Sequence, residues 1–307
     1  AYAVNQKDST PLFYELYDGS VIDNTELEIM LEEAKEFGHE KLGVLMDRGY
    51  ISEKNIKALR TKGYEYILMM KQNQRICQEI IEEYGAAVQS LEGYYIGEHG
   101  VYGTTVKKEL YGQEANIHVY YDDIRASEEK VALMSRYETW EKEIEKKVAK
   151  RIATEGEMKK YRKVFKLKYD QNGYLVAYQR NSRYIKEEIR NLGFFFIITS
   201  EEMSTSKALD IYRGRDNIEK MFRSLKSGID FNKARVHTTE SLKSKVFVTF
   251  IAMIVRNELF QKAEELRKKN RKAYTVPGMI SELENIECTR NSVGKYRRKY
   301  ALTAKQK

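Results

Sequence analysis

A mixed α/β fold is predicted for this chain of 307 residues. Three observations predict it. Short apolar runs at 42–46 (LGVLM), 66–70 (YILMM) and 193–200 (GFFFIITS) have the length of strands buried on both faces. Helical patterns with capping residues flank the first two runs, so strand and helix alternate as in α/β architecture. Between the second run and the third, a long tyrosine-rich stretch alternates apolar and polar residues, the texture of antiparallel strands.

In chain order, 2–5 and 12–17 read as two strands joined by a polar turn at 6–10. Asp23 or Asn24 then caps a helix whose apolar positions are Leu27, Met30, Leu31 and Ala34. The strand at 42–46 ends on Asp47-Arg48-Gly49-Tyr50, and Ser52 caps a short helix to about Thr61 before the strand at 66–70. Within 72–192, residues 103–111 and 115–121 read as antiparallel strands. A charged helix follows from 128 to about 160, then strand-like pieces at 164–169 and 173–178. After the strand at 193–200 a helix carries the richest polar row of the chain. An apolar helix at 245–258 is expected to pack on the sheet, and beyond 261 the chain is polar and basic with Pro277-Gly278 as a break. Texture therefore divides the chain into 1–71, 72–192, 193–260 and 261–307, without an internal repeat.

A net charge of +8 and a pI near 9.1 suit a polyanionic partner. Cys77 and Cys288 are far apart with no CxxC pattern, which argues against a zinc site or disulfide framework and fits a reducing, cytoplasmic setting. The longest apolar stretch, 246–255, is about half of what a membrane span needs. The chain opens at Ala1 in what reads as mid-strand, and a fragment truncated at both ends is the expectation.

The polar row lies in 211–226, IYRGRDNIEKMFRSLK. Tyr212, Arg215, Glu219 and Lys226 recur at steps of 3, 4 and 7, and at about 100° per residue they fall within an arc of roughly 60°. Ile211, Ile218, Phe222, Leu225 and Ile229 cluster in the adjoining arc, so a carboxylate, two cations and a phenol sit at the rim of an apolar face. Charged rows of this kind are common on amphipathic helices and on spacing alone signify a solvated face. The pattern Tyr-x2-Arg-x3-Glu-x6-Lys, however, resembles the signature of insertion-sequence transposases of the IS4 group, DDE enzymes with a ribonuclease H-like fold. The flanking Phe222-Arg223-Ser224-Leu225-Lys226 and Arg235-Val236-His237 are similar to its IS1634-type branch. The resemblance covers about 11–256.

It implies a ribonuclease H-like mixed sheet with flanking helices, interrupted by a β-rich insertion where 72–192 lies. It also implies a catalytic Asp at the end of a buried strand, the position of Asp47, and a catalytic Glu at Glu219. Both would be ligands of Mg²⁺, with Mn²⁺ as substitute. Phosphodiester cleavage uses such acids because paired Mg²⁺ ions, roughly 4 Å apart, take hard oxygen donors and activate water. A turn Asp before Gly49 is the plain alternative for Asp47. The family's first Asp belongs to an opening strand that has no counterpart here. Asp8 and Asp18 read as turn residues, and Asp122 and Asp123, which end a strand, fall inside the expected insertion. Tyr212, Arg215 and Lys226, with Arg223 and His237 nearby, would contact the DNA backbone. The lysine-rich stretches at 146–163 and 267–272 could neutralise phosphates, although interspersed glutamates favour a solvated helix for the first. Trp140, the one tryptophan, sits among charges and is expected to pack on the partner of its own helix, with base stacking as the alternative.

The function expected is a DNA transposase that binds terminal inverted repeats, cleaves element ends with Mg²⁺ and joins the freed end to target DNA. Its partners would be DNA and further copies of itself, with no membrane, in a bacterial cytoplasm at the nucleoid. With one acid lacking, this chain would be an inactive core. Two alternatives remain open: a non-catalytic DNA-binding remnant, and a ribonuclease H-like nuclease without strand transfer.

Overall fold

The computed structural model describes residues 2–5, 9–16, 23–38, 43–46, 48–90, 92–150, 156–215, 236–270 and 275–303. The chain clusters into two units, one of 23–29 with 39–212 and one of 1–22, 30–38 and 213–307.

The first unit is organised by a sheet of six strands: β3 (Gly43–Met46), β4 (Glu65–Met69), β5 (Tyr95–Ile96), β6 (Val101–Leu110), β7 (Gln113–Tyr121) and β10 (Phe194–Thr199). Their order is β3-β4-β10-β7-β6-β5. Only β3 and β4 run parallel; the other neighbours are antiparallel. The expected mixed α/β class holds. All six residues of β10 are buried, as its unbroken apolar run predicts. Phe195 and Ile197 share a cluster with Leu209 and Tyr212 of α6 (Thr205–Arg213), while Phe194 meets Gly85 of α3 (Arg75–Ser90). Helices therefore cover both faces of this central strand.

Of the local expectations, Ser52 caps α2 (Glu53–Thr61) by accepting from the Asn55 amide at 3.2 Å. The strands at 103–111 and 115–121 correspond to β6 and β7. They join the central sheet directly beside β10, so the tyrosine-rich stretch shares one hydrogen-bonded layer with β4. Helix α3 corrects the reading of its segment as strand-rich. Its buried Cys77, Ile80, Ile81, Gly85 and Val88 follow a helical repeat that faces the sheet.

Between β7 and β10 the chain builds a module: α4 (Asp123–Lys150), the hairpin β8 (Phe165–Tyr169) and β9 (Leu175–Arg180), and α5 (Ser182–Asn191). Leu133, Tyr137 and Ile144 of α4 pack with Tyr161, Val164, Phe165 and Leu175 in a separate core. Trp140 packs as expected, edge-on to Tyr161 at 5.7 Å between centroids. Asp122 accepts from the Arg125 amide at 3.0 Å and caps α4, which assigns it a structural task.

The second unit contains the hairpin of β1 (Tyr2–Val4) and β2 (Pro11–Tyr14) and a long helix, α7 (Thr239–Asn270). Tyr14 packs on Phe250 of α7 at 5.0 Å, and Asn257 donates to Thr10 at 3.4 Å. The expected apolar helix at 245–258 is thus the middle of a longer one, and the division at 260/261 falls inside it. Pro277 does not break the chain. It occupies the first turn of α8 (Val276–Glu284), where its missing N–H is harmless, and Thr275 caps that turn by accepting from Gly278 at 3.2 Å. The hairpin β11 (Cys288–Arg290) and β12 (Tyr296–Arg298) follows, fully exposed. Among the described residues no helix is long and apolar enough to cross a membrane.

Candidate functional site

Tyr212 closes the apolar stripe of α6 with Ala208 and Leu209, spaced to return to one side of the helix. It is buried in a cluster with Ile67 of β4, Val101 of β6, Tyr120 of β7, and Phe195 and Ile197 of β10, and Leu45 of β3 packs against the same cluster. The opening of the signature segment is therefore seated on the sheet face to which the strand preceding Asp47 contributes. Arg215, two residues past α6, is half-buried; His237 is exposed just before α7, beside Thr238, which caps that helix at Ser241. Asp47, Glu219, Arg223 and Lys226 lie outside the described residues.

Sequence reasoning missed how α6 is fastened. Tyr120 donates its hydroxyl to the Thr205 carbonyl at 2.8 Å, and the Thr105 and Thr205 hydroxyls lie 3.0 Å apart. Gly103 sits beneath both: a Cβ there would come within 2.7 Å of the Tyr120 ring and 3.0 Å of the Thr205 methyl. Nε2 of His99, in the turn after β5, lies 2.9 Å from Oδ1 of Asp210. No motif announces these links, because each joins residues far apart in sequence.

Behind them lies a polar chain through the core. Thr199 donates to the Glu201 carbonyl at 2.7 Å, so its oxygen accepts from Nε2–H of His118 at 3.0 Å. Nδ1 of His118 then accepts from Thr105 at 2.7 Å, and Thr105 in turn accepts from Thr205. With Thr199 committed as a donor to Glu201, Nε2 carries a proton, and with Nδ1 accepting from Thr105 the imidazole is neutral. Burial pushes the His118 pKa down to about 4, in keeping with that state.

Glu98, His99 and Asp210 present ligand-type atoms within 4.8 Å of one another. One imidazole with two carboxylates suits Mn²⁺ or Zn²⁺ better than Mg²⁺, which favours oxygen donors alone. The His99–Asp210 contact itself serves as a fastening between turn and helix.

A comparison with curated proteins gave no match. Residues 2–255 match a family model described as a transposase DDE domain, a span that takes in β1 through the first half of α7, including the whole six-stranded sheet, α6 and the signature segment. The match agrees with the spacing of Tyr212, Arg215, Glu219 and Lys226, with the seating of Tyr212 in the cluster against which Leu45 of β3 also packs, and with the basic balance of the chain. Together they assign transposition, with DNA as the substrate class. The chain belongs to the DDE transposase domain family.

Proposed function

We propose that this chain is the catalytic region of an IS4-group transposase, of the IS1634-type branch, built on a ribonuclease H-like core. Its reaction would be cleavage at transposon ends followed by joining of the freed 3′-hydroxyl to target DNA. The observation that supports this best is the shared apolar cluster of Tyr212 and Leu45. It brings the described starts of the two acid-bearing segments, the strand before Asp47 and the helix before Glu219, onto one sheet face.

In this reading Asp47 and Glu219 would hold Mg²⁺, with Mn²⁺ as substitute, since carboxylate oxygens are the donors these ions take; the metal would supply an activated water and a stabilised leaving oxygen. The remaining residues work on the DNA. Arg215 presents a forked donor to phosphate oxygens and Lys226 a point charge, with Arg223 and His237 at the margin, while Tyr212, read from the signature as a DNA contact, is buried against the sheet and serves to anchor the start of the segment. Residues 1–71 and 193–260 form the two parts of the core, 72–192 the insertion, whose first strands widen the sheet, and 261–307 a basic tail. Paired ends imply a homo-oligomer on DNA. The setting is the bacterial cytoplasm.

Two carboxylates, not three, match the signature in this chain, so binding of end DNA without cutting is the expected behaviour. The test is a terminal-repeat duplex incubated with the protein and Mg²⁺, with E219Q and R215A variants beside it. R215A should weaken end binding several-fold. Robust Mg²⁺-dependent nicking by the unaltered chain would overturn the two-acid count, and nicking without any joined product would favour a plain nuclease.

A further inference from the structure

We infer that the outer face of the C-terminal half of α4 is a binding row for the phosphate backbone of duplex DNA, formed by Lys142, Lys146 and Lys150. The inference rests on the transposase reading and adds to it a surface on the module between β7 and β10.

Residues 123–192, the module between β7 and β10, hold eighteen Lys and Arg against twelve Asp and Glu, a surplus of six in a chain whose net charge is +8. What matters is where the acids of α4 are used. Glu141 is paired with Arg180 of β9, with Nε at 3.1 Å. Glu145 accepts from the Tyr178 hydroxyl of β9 at 2.9 Å. Glu143 accepts from Tyr161 and from Lys160, the latter at 3.1 Å. These carboxylates are committed to holding the hairpin, and the turn at 159–161 that precedes it, onto the helix.

The cations left behind are arranged differently. Lys142, Lys146 and Lys150 stand at i, i+4 and i+8, and at about 100° per residue they centre on the side of α4 opposite the buried Ile144. All three are exposed, and none meets a carboxylate among the described residues. Like charges at i,i+4 repel and cost the helix a few tenths of a kcal/mol per pair. Glu138, four residues before Lys142, ends this line on its N-terminal side, and from 142 to 150 the line holds lysine alone. A single-sign row with no internal partner is complementary to a polyanion. It extends roughly 12 Å along the helix, a length over which B-DNA presents about seven charges. Contact of this kind carries no sequence information and would hold DNA of any sequence.

The experiment is the salt dependence of binding to a random-sequence duplex, followed by fluorescence anisotropy with the full chain. The variants are K142Q/K146Q/K150Q and, as a control, K166Q/K168Q. The control lysines face away from α4 on the hairpin, opposite Gln179 and Ala177. Gln keeps helix propensity, so the triple variant should melt at or above the wild-type temperature. Loss of three phosphate contacts should lower the slope of log K against log salt by about 2.7 and weaken binding at least tenfold at low salt. The control should change it far less. Wild-type binding with an unchanged slope in the triple variant would overturn the row and leave the DNA reading standing. An equal loss in the control would do the same, since it would mean diffuse charge. Absence of any duplex binding by the wild type would defeat the DNA reading itself, and the row with it.

Discussion

His99 and Asp210 meet at 2.9 Å, tying the turn after β5 to the helix that ends next to Tyr212. His99 is almost enclosed while Asp210 is half-exposed, so the histidine is the ordered partner and the carboxylate the one recruited. Replacing His99 by Ala should loosen α6 while leaving the sheet intact. The expected loss is at most about 1 kcal/mol, the scale of an ion-pair contact with one partly exposed member. Amide exchange measured across 205–213 should accelerate in the variant while β7 and β10 stay protected; unchanged exchange in α6 would show that the contact holds nothing.

Gly103 is required by crowding, not by backbone conformation. A methyl group there would press on the Tyr120 ring and on Thr205. Gly103→Ala should cost about 1–3 kcal/mol through overpacking, read as an earlier urea midpoint with the m-value unchanged. Because both displaced groups support the first turn of α6, the same variant should shift Tyr212 fluorescence.

His118 makes the sheet acid-sensitive. Its folded pKa of about 4 lies below the ordinary 6.5, so the unfolded chain takes up the proton first. Stability is full above pH 6.5 and falls as the pH drops from there towards 4. The limit is about 3 kcal/mol, from the conversion of 1.36 kcal/mol per pKa unit. Denaturation at pH 7.5, 6 and 5 should trace this decline, and His118→Asn should flatten it. A wild-type stability constant over that range would contradict the neutral, Nε2-protonated state.

Glu33 acts with the opposite sign. Burial, and then Glu15 hydrogen-bonded beside it, raise its pKa to about 7. The folded form therefore prefers the protonated carboxyl, and the stability it contributes is present below pH 4.5 and lost as the pH rises through 7. Glu33→Gln should raise the melting temperature at pH 8 and leave it unaltered at pH 4.5. An equal effect at both values would mean that charge is not involved.

The strands β4 and β10 were legible because burial on both faces leaves few polar positions to disguise them, whereas the run at 42–46, expected to be buried on both faces, forms β3, an edge strand with no buried residue. The cap at Ser52 was legible because capping is local chemistry. Helix α3 was not, since its period of 3.6 is overlaid by the tyrosines and glutamates around it. Pro277 misled for a related reason: its effect depends on whether it falls in the first turn of a helix or in the middle. The order of the sheet was beyond reach, because β10 enters between β4 and β7 from the far end of a long module. At the site, Tyr212 could be read from the spacing of its stripe. The fastening by His99, Thr105 and Tyr120 could not, as pairs such as Thr105 and Thr205 meet only once the sheet is assembled.

The chain leaves the sheet at Tyr121 and comes back at Phe194, and these two residues are direct partners across β7 and β10. Gly193, at φ +79°, makes the return in a space already filled by Ala126 and the Asp122 carbonyl. Everything between is a detour whose two ends touch. Had the intervening seventy or so residues to be gathered up as loose chain, joining those ends would cost about 4 kcal/mol in loop-closure entropy. A module that has already closed around its own core delivers β10 to β7 as if by a short turn. The expected order of folding is that α4 and its hairpin gain protection in pulse-labelled hydrogen exchange before β10 does; simultaneous protection of the two would count against it.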